Sequence, residues 1–387
     1  MLLRVVGLAV AGLFVHVLSA ATPLFTVPLK FLPDEALLVE VRVNGHGPYS
    51  CEFDSGGSDT FELDSEKARE AGLKPTERGT SAGVGASIID DERFSGASLV
   101  LGSLQIRDRT VVMLNTKPDD CVFGVGILRQ FVVQIDYLAG ILRLYDPRNF
   151  AMPTEAVDVP ITFSVGSPVV DAEVTFTGND AVHAKLLVDT GVRRFLALSK
   201  GFTDRHMALS RDGRLVKPPF WAGGTGGPIE LLATRLRSIT IGSARVANPV
   251  ALLIRTASGA SRSEPDGYLG NEFFRRFLLT LDYPHSRLML EPTRNFKAPP
   301  APYDGSGLGI EKKDGHLVVT AVVPASAGAR AGVKVGDTLL VLDGKPSIAI
   351  TSEYIMERFC RTSGQSVVQI QRGSLVFTYT LKLQPVL

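Results

Sequence analysis

Phe53-Asp54-Ser55-Gly56-Gly57-Ser58 and Val188-Asp189-Thr190-Gly191 each carry an Asp-hydroxyl-Gly triplet at the end of a short apolar run that reads as a strand, Tyr49 to Phe53 and Leu186 to Val188. One such triplet is an ordinary Asx-type turn that average composition supplies in roughly every few chains of this length. Two acquire meaning only if the sequence around them repeats as well. Asp54 precedes Asp189 by 135 residues, Leu101-Gly102-Ser103 precedes Ile241-Gly242-Ser243 by 140, and Gly124 precedes Gly270 by 146. At the last offset Asp120, Gly124, Arg129, Phe131, Asp136, Tyr137, Leu142 and Leu144 all recur, as Asp266, Gly270, Arg275, Phe277, Asp282, Tyr283, Leu288 and Leu290. Eight identities in 25 positions stand against about one or two expected by composition. The chain holds two copies of one unit in the same internal order.

Equivalent carboxylates on duplicated lobes invite a two-fold arrangement in which Asp54 and Asp189 meet at the axis. Like charges at close range cannot both ionise, so the pair shares one proton over a wide pH range. One carboxyl then serves as base and the other as acid. Gly56 and Gly191, having no Cβ, let backbone N–H groups approach the carboxylates.

These features resemble the aspartic proteases, and more closely the bacterial retropepsin-like type with two lobes in one chain. The resemblance is carried by Asn44-Gly45-His46-Gly47-Pro48, the two triplets, and the elements Val122-Phe123-Gly124 and Tyr268-Leu269-Gly270, over about residues 24 to 292. It implies a mainly β, two-lobed barrel fold and peptide-bond hydrolysis without a cofactor, through a water held between Asp54 and Asp189. It further implies that Ser55 and Thr190 lock the two catalytic loops together, and that each apolar-apolar-Gly element crosses behind the catalytic strand of its own lobe. Gly79 to Ser87, with Gly83, Val84 and Gly85 at its centre, corresponds to a flap over bound peptide, with an ordinary hairpin loop as the alternative. The second-lobe counterpart is the stretch 221–227, including Gly223 and Gly224, where Trp221, the only Trp, either covers the cleft or fills the core. Cys51 and Cys121 fall on neighbouring strands of the resembling fold, and in an oxidising compartment they are expected to form a disulfide.

Two departures from the family pattern bear on chemistry. Val192-Arg193 follows the second triplet where relatives carry small residues, which could distort the dyad or leave the Arg outside it. Three residues after each Asp stand Gly57 and Val192, neither of which can donate to the outer carboxylate oxygen as the Ser or Thr of pepsin-like enzymes does. A hydrogen bond to the charged form lowers a carboxyl pKa, so its absence predicts higher dyad pKa values and an active window moved toward neutral pH.

The remaining sequence bounds the reading. Lys and Arg total 41 against 40 Asp and Glu, so no basic excess points to nucleic acid. Met1-Leu2-Leu3-Arg4, an apolar run from Val5 to Leu18 and Ser19-Ala20-Ala21 describe a signal peptide over 1–21, and hence a periplasmic or secreted protein. The run is shorter than the roughly 20 residues of a spanning helix. Asp64 to Ala71 reads as a short helix capped by Asp64. Gly79-Thr80-Ser81-Ala82-Gly83 matches a nucleophile elbow but lacks the apolar strand before it and the helix after it. The six histidines have no ligand spacing, and no metal site is expected.

Ala298-Pro299-Pro300-Ala301-Pro302 marks a linker between lobe two (151–297, after lobe one at 22–150) and a module at 303–387. Gly307-Leu308-Gly309-Ile310, Val322-Val323-Pro324-Ala325-Ser326-Ala327-Gly328-Ala329, Gly336-Asp337-Thr338-Leu339-Leu340 and Asp343-Gly344 resemble a bacterial PDZ domain. That resemblance implies capture of a peptide C-terminus at Gly307-Leu308-Gly309-Ile310, the peptide adding as a strand. Ser352 to Phe359 is expected as the facing helix, with Ile355 and Phe359 on one side as groove or as core. Pro385-Val386-Leu387 is apolar enough to compete for that groove, and Cys360 is left as a lone thiol. Two complete copies in one chain favour a monomer over an obligate dimer. The competing class is a catalytically inactive peptide-binding scaffold, against which stands the presence of both aspartates.

Overall fold

The computed structural model describes residues 21–32, 36–57, 61–114, 121–177, 181–206, 214–218, 223–258, 265–298, 305–359, 361 and 363–387. Residues 1–20 of the expected leader, 299–302 of the expected linker, Trp221 and Cys360 lie outside the described residues.

Period-2 patterning builds lobe one. In strand Leu37–Val43, Leu37, Val39, Val41 and Val43 point into the core while Glu40 and Arg42 face out. Asn44 and Gly45 both take positive φ, 50° and 85°, as a two-residue hairpin turn requires. The chain returns along His46–Asp54. Leu37–Val43 also pairs with Ile89–Leu101, which closes the eight-stranded sheet into a barrel. The helix Ser65–Glu70 begins where Asp64 accepts from the Glu66 and Lys67 N–H groups and ends before Gly72 at φ 71°.

The duplication read from sequence recurs in the strand pairing. In lobe one His46–Asp54 lies parallel to Cys121–Gly124, which runs antiparallel to Phe61–Asp64, which lies parallel to Leu104–Leu114. In lobe two Ala181–Val188 lies parallel to Gly267–Leu269, which runs antiparallel to Leu196–Leu198, which lies parallel to Val250–Ile254. Three strands from each half then form one six-stranded sheet whose middle pair is Val132–Asp136 against Phe277–Asp282. In that pair Gln134 faces Thr280, its own equivalent at offset 146, so the pseudo-two-fold axis passes between them. One buried core that includes Phe53, Phe123, Phe195 and Phe273 runs through both lobes.

The C-terminal module orders its strands Leu308–Lys313, His316–Val322, Thr338–Leu342, Gln365–Arg372 and Leu375–Lys382, with helices Ala327–Ala331 and Ser352–Phe359. It has a core of its own, which includes Leu308 and Phe359 at 5% and 3% exposure. Among the described residues no helix is long and apolar enough to cross a membrane.

Candidate active site

Strand alternation decides what surrounds Asp54. Cys51 and Phe53 turn into the core, so Glu52 and Asp54 share the opposite face. Cys51 and Cys121 are registered partners on parallel strands and are joined by a disulfide, with Cα atoms 4.5 Å apart. Asp189 follows Ala181–Val188 in the same way, with Leu186 and Val188 in the core and Leu187 on the face of Asp189.

The hydroxyl residues after the aspartates bind across the axis. Ser55 N–H donates to Thr190 Oγ1 at 2.9 Å, and Thr190 N–H donates to Ser55 Oγ at 3.0 Å. Each hydroxyl then donates onward to the opposite lobe, Ser55 to the Val188 carbonyl at 2.6 Å and Thr190 to the Phe53 carbonyl at 2.5 Å. Both side chains are buried, so these four bonds satisfy groups that water cannot reach.

The grip brings the carboxyls face to face, and the glycines make room. A Cβ on Gly56 would lie 2.6 Å from Asp189 Cγ, and one on Gly191 would lie 2.8 Å from Asp54 Cγ. Burial, and after it the Asp54 carboxylate within hydrogen-bonding reach, hold the Asp189 carboxyl well above the usual carboxylate range.

The dyad is not symmetric. Asp54 Oδ1 accepts from Gly56 N–H at 2.7 Å and from Gly57 N–H at 3.0 Å. Asp189 Oδ1 accepts from Gly191 N–H at 2.9 Å, whereas the Val192 N–H is spent on the Asp189 main-chain carbonyl. The sequence argument that position 57 offers no donor is corrected here: Gly57 has no hydroxyl, but its backbone N–H does the donating. Asp54 thus accepts one backbone N–H more than Asp189, which favours the charged form of Asp54.

Arg193 does not stand aside from the pair but reaches the other lobe. Its Nε lies 3.3 Å from Glu52 Oε1 of the other lobe, two residues before Asp54, and the Glu52 charge also pushes Asp189 upward. Neither residue carries a motif, and only the register of the Asp54 strand could have pointed to Glu52. Sequence reading likewise missed Asn271, whose Nδ2 donates to the Thr190 carbonyl at 2.6 Å and whose Oδ1 accepts from the Tyr137 hydroxyl at 2.8 Å.

The two glycine-rich segments meet each other. Gly85 N–H donates to the Thr225 carbonyl and Ser87 N–H to the Gly226 carbonyl, both at 3.0 Å. A Cβ on Gly85 would fall 2.2 Å from Gly226 C, one on Gly83 2.9 Å from Thr225, and one on Gly224 2.7 Å from Val84 Cγ1. Gly223–Gly224 pairs with Gly227–Pro228 as the second-lobe hairpin. The elbow-like Gly79-Thr80-Ser81 lies on strand Glu77–Ser81, where Ser81 donates to Asp91 at 2.6 Å.

The residues expected to form the module's peptide groove are only partly open. Gly307 takes φ 70° and the Leu308 N–H is bound by Ser306 Oγ at 3.0 Å, while Gly309 and Ile310 enter the edge strand. The Leu308 and Phe359 side chains belong to the module's core, with Ile355 packed against it, which fits the core alternative for Ile355 and Phe359. Among the described residues no three His, Cys, Asp or Glu side chains gather as a metal site would require.

Residues 39–127 match the family model described as aspartyl protease. The matched stretch holds Asp54 and the strand crossing behind it, and it supports a peptidase. A search of curated proteins found no match. Among solved structures the chain is similar to the aspartic proteinase from Irpex lacteus, at 15% identity and a TM-score of 0.46, over 71% of this chain and 99% of that one.

Proposed function

We propose that the protein is an aspartic endopeptidase, with lobes at 22–150 and 151–297 and Asp54 and Asp189 as its catalytic pair. The observation that carries this reading is the reciprocal Ser55–Thr190 grip, which sets two partly buried carboxyls against each other, with that of Asp189 held well above the usual carboxylate range. A water between them loses a proton to Asp54, the carboxylate with two backbone donors. Asp189 gives its proton to the scissile carbonyl oxygen, and the tetrahedral intermediate forms with no covalent acyl-enzyme. On collapse the C–N bond breaks, Asp54 passes the proton it took from water to the leaving amine, and a hydroxyl of the gem-diol returns a proton to Asp189.

The flap contact at Gly85–Thr225 supports a cleft that must open for an extended peptide. The C-terminal module acts as a PDZ domain in this reading. Its sheet ends on Leu308–Lys313, the edge to which a peptide C-terminus would add as a strand. The leader-like start supports export to the periplasm or outside the cell, and the two lobes in one chain support a monomer.

The deciding experiment incubates an unfolded protein substrate with the wild type, Asp54→Asn and Asp189→Asn. Cleavage is expected from the wild type alone, with losses of at least a thousandfold in both variants. Equal cleavage by all three, or none by any, would leave a non-catalytic peptide-binding scaffold.

A further inference from the structure

The wall of the cleft on lobe two can be traced by register from Asp189. Leu187 shares the Asp189 face and pairs with Tyr268; Tyr268 pairs with Ala197; Ala197 pairs with Leu252; Leu252 pairs with Ala233. Directly opposed residues lie on one face of a sheet, so this apolar row is continuous with the dyad. The duplicated positions on lobe one are of another kind: Glu52 stands for Leu187, Glu62 for Ala197, Val122 for Tyr268 and Val112 for Leu252. Covering two carboxylates with apolar atoms is costly and covering Leu and Ala is favourable. Only the lobe-two wall suits an apolar cover.

That cover is present. Val323 and Val386 of the C-terminal module, each 3% exposed, belong to one buried cluster with Ala197, Ala233, Val250 and Leu252. Leu387 packs at its rim, as do Val84 of the first-lobe flap and Tyr268. Polar contacts fix the seat: Arg235 Nη2 donates to Leu387 O at 2.8 Å, and Arg214 Nη2 to the Pro324 carbonyl at 3.4 Å. Upstream, Leu383 and Gln384 donate their N–H groups to Gly364 and Gly305 of the module itself. The segment 385–387 thus leaves its own module and lies on lobe two, not in the module's groove.

We infer that the apolar wall of lobe two is a binding surface for segment 385–387 held in cis, and that a peptide entering that side of the cleft displaces it. The second half rests on the peptidase reading; the first half does not. Ending the chain after Gln384 leaves the module's own contacts at Leu383 and Gln384 intact. A fluorescent peptide with the sequence of residues 381–387 is expected to bind this shortened chain at least tenfold more tightly than the full chain, and Ala233→Arg in the shortened chain should abolish the gain. Equal binding to full and shortened chains, or a gain that survives Ala233→Arg, would overturn the inference. A photo-crosslinker at position 386 of the full chain reports on the same seat without relying on the Ala233 variant. Adducts within 229–254 support it, and adducts confined to 305–383 refute it. If the protease cleaves, shortening should lower KM several-fold at unchanged kcat, and an unchanged KM would refute the competition. If neither form cleaves any peptide, the peptidase reading fails while binding and crosslinking still decide the seat.

Discussion

Tyr137 of lobe one donates its hydroxyl to Asn271 of lobe two at 2.8 Å, and the equivalent contact in the other direction does not exist. Tyr283 repeats Tyr137 at offset 146, but Val125 stands where Asn271 would be, and the buried Tyr283 hydroxyl makes no hydrogen bond among the described residues. Duplicated lobes have diverged at the partner, not at the tyrosine.

Tyr137→Phe should therefore cost stability where Tyr283→Phe does not. The first leaves the buried Asn271 Oδ1 short of a donor, worth about 1–2 kcal/mol; the second removes a hydroxyl that was already unmatched. Urea denaturation of both variants checks this, and equal losses would contradict it.

The Glu52–Arg193 pair predicts opposite pH shifts from its two halves. Glu52 holds the Asp189 carboxyl up, so Glu52→Gln lowers it, and the pair loses its shared proton at lower pH. The basic limb of kcat/KM should move to lower pH in Glu52→Gln and to higher pH in Arg193→Leu, which leaves the Glu52 charge uncompensated by that cation. Profiles for the three proteins on one peptide would settle the sign, and shifts in the same direction would count against the account.

Asp189→Asn should stabilise the protein increasingly as pH rises. In the unfolded chain the carboxyl titrates near about 3.9, while in the native pair it holds its proton well above that. The wild type therefore loses stability from about pH 4 upward until the native carboxyl titrates, at about 1.4 kcal/mol per unit of difference. The amide of the variant does not titrate and has no such loss. Melting temperatures at pH 4, 6 and 8 should show the variant gaining on the wild type, and a gap that does not change with pH would rule this out.

Ser55→Ala and Thr190→Ala should each cost about 1–3 kcal/mol, because each strips the acceptor from a buried N–H across the axis. Thr190→Ser keeps the hydroxyl and should stay within about 1 kcal/mol of the wild type. The double Ala variant should lose less than the sum of the singles, since both hydroxyls serve one interface. Chemical denaturation of the four variants and the wild type gives the comparison.

The sequence alone was sufficient for the duplication, the two triplets and the strands that carry them, because apolar alternation and the Asp-hydroxyl-Gly turn are local and recur at fixed offsets. The same locality made legible the Asp64-capped helix. It could not reveal which backbone N–H groups reach which carboxylate. Gly57 and Val192 occupy equivalent places, yet the Gly57 N–H reaches the Asp54 carboxylate while the Val192 N–H binds the Asp189 main-chain carbonyl. Nor could it show that Arg193 crosses to Glu52 or that segment 385–387 lies on lobe two. Those outcomes depend on distances between residues far apart in the chain, set by how two lobes and a third module close on one another, and no period or motif within a segment carries that information.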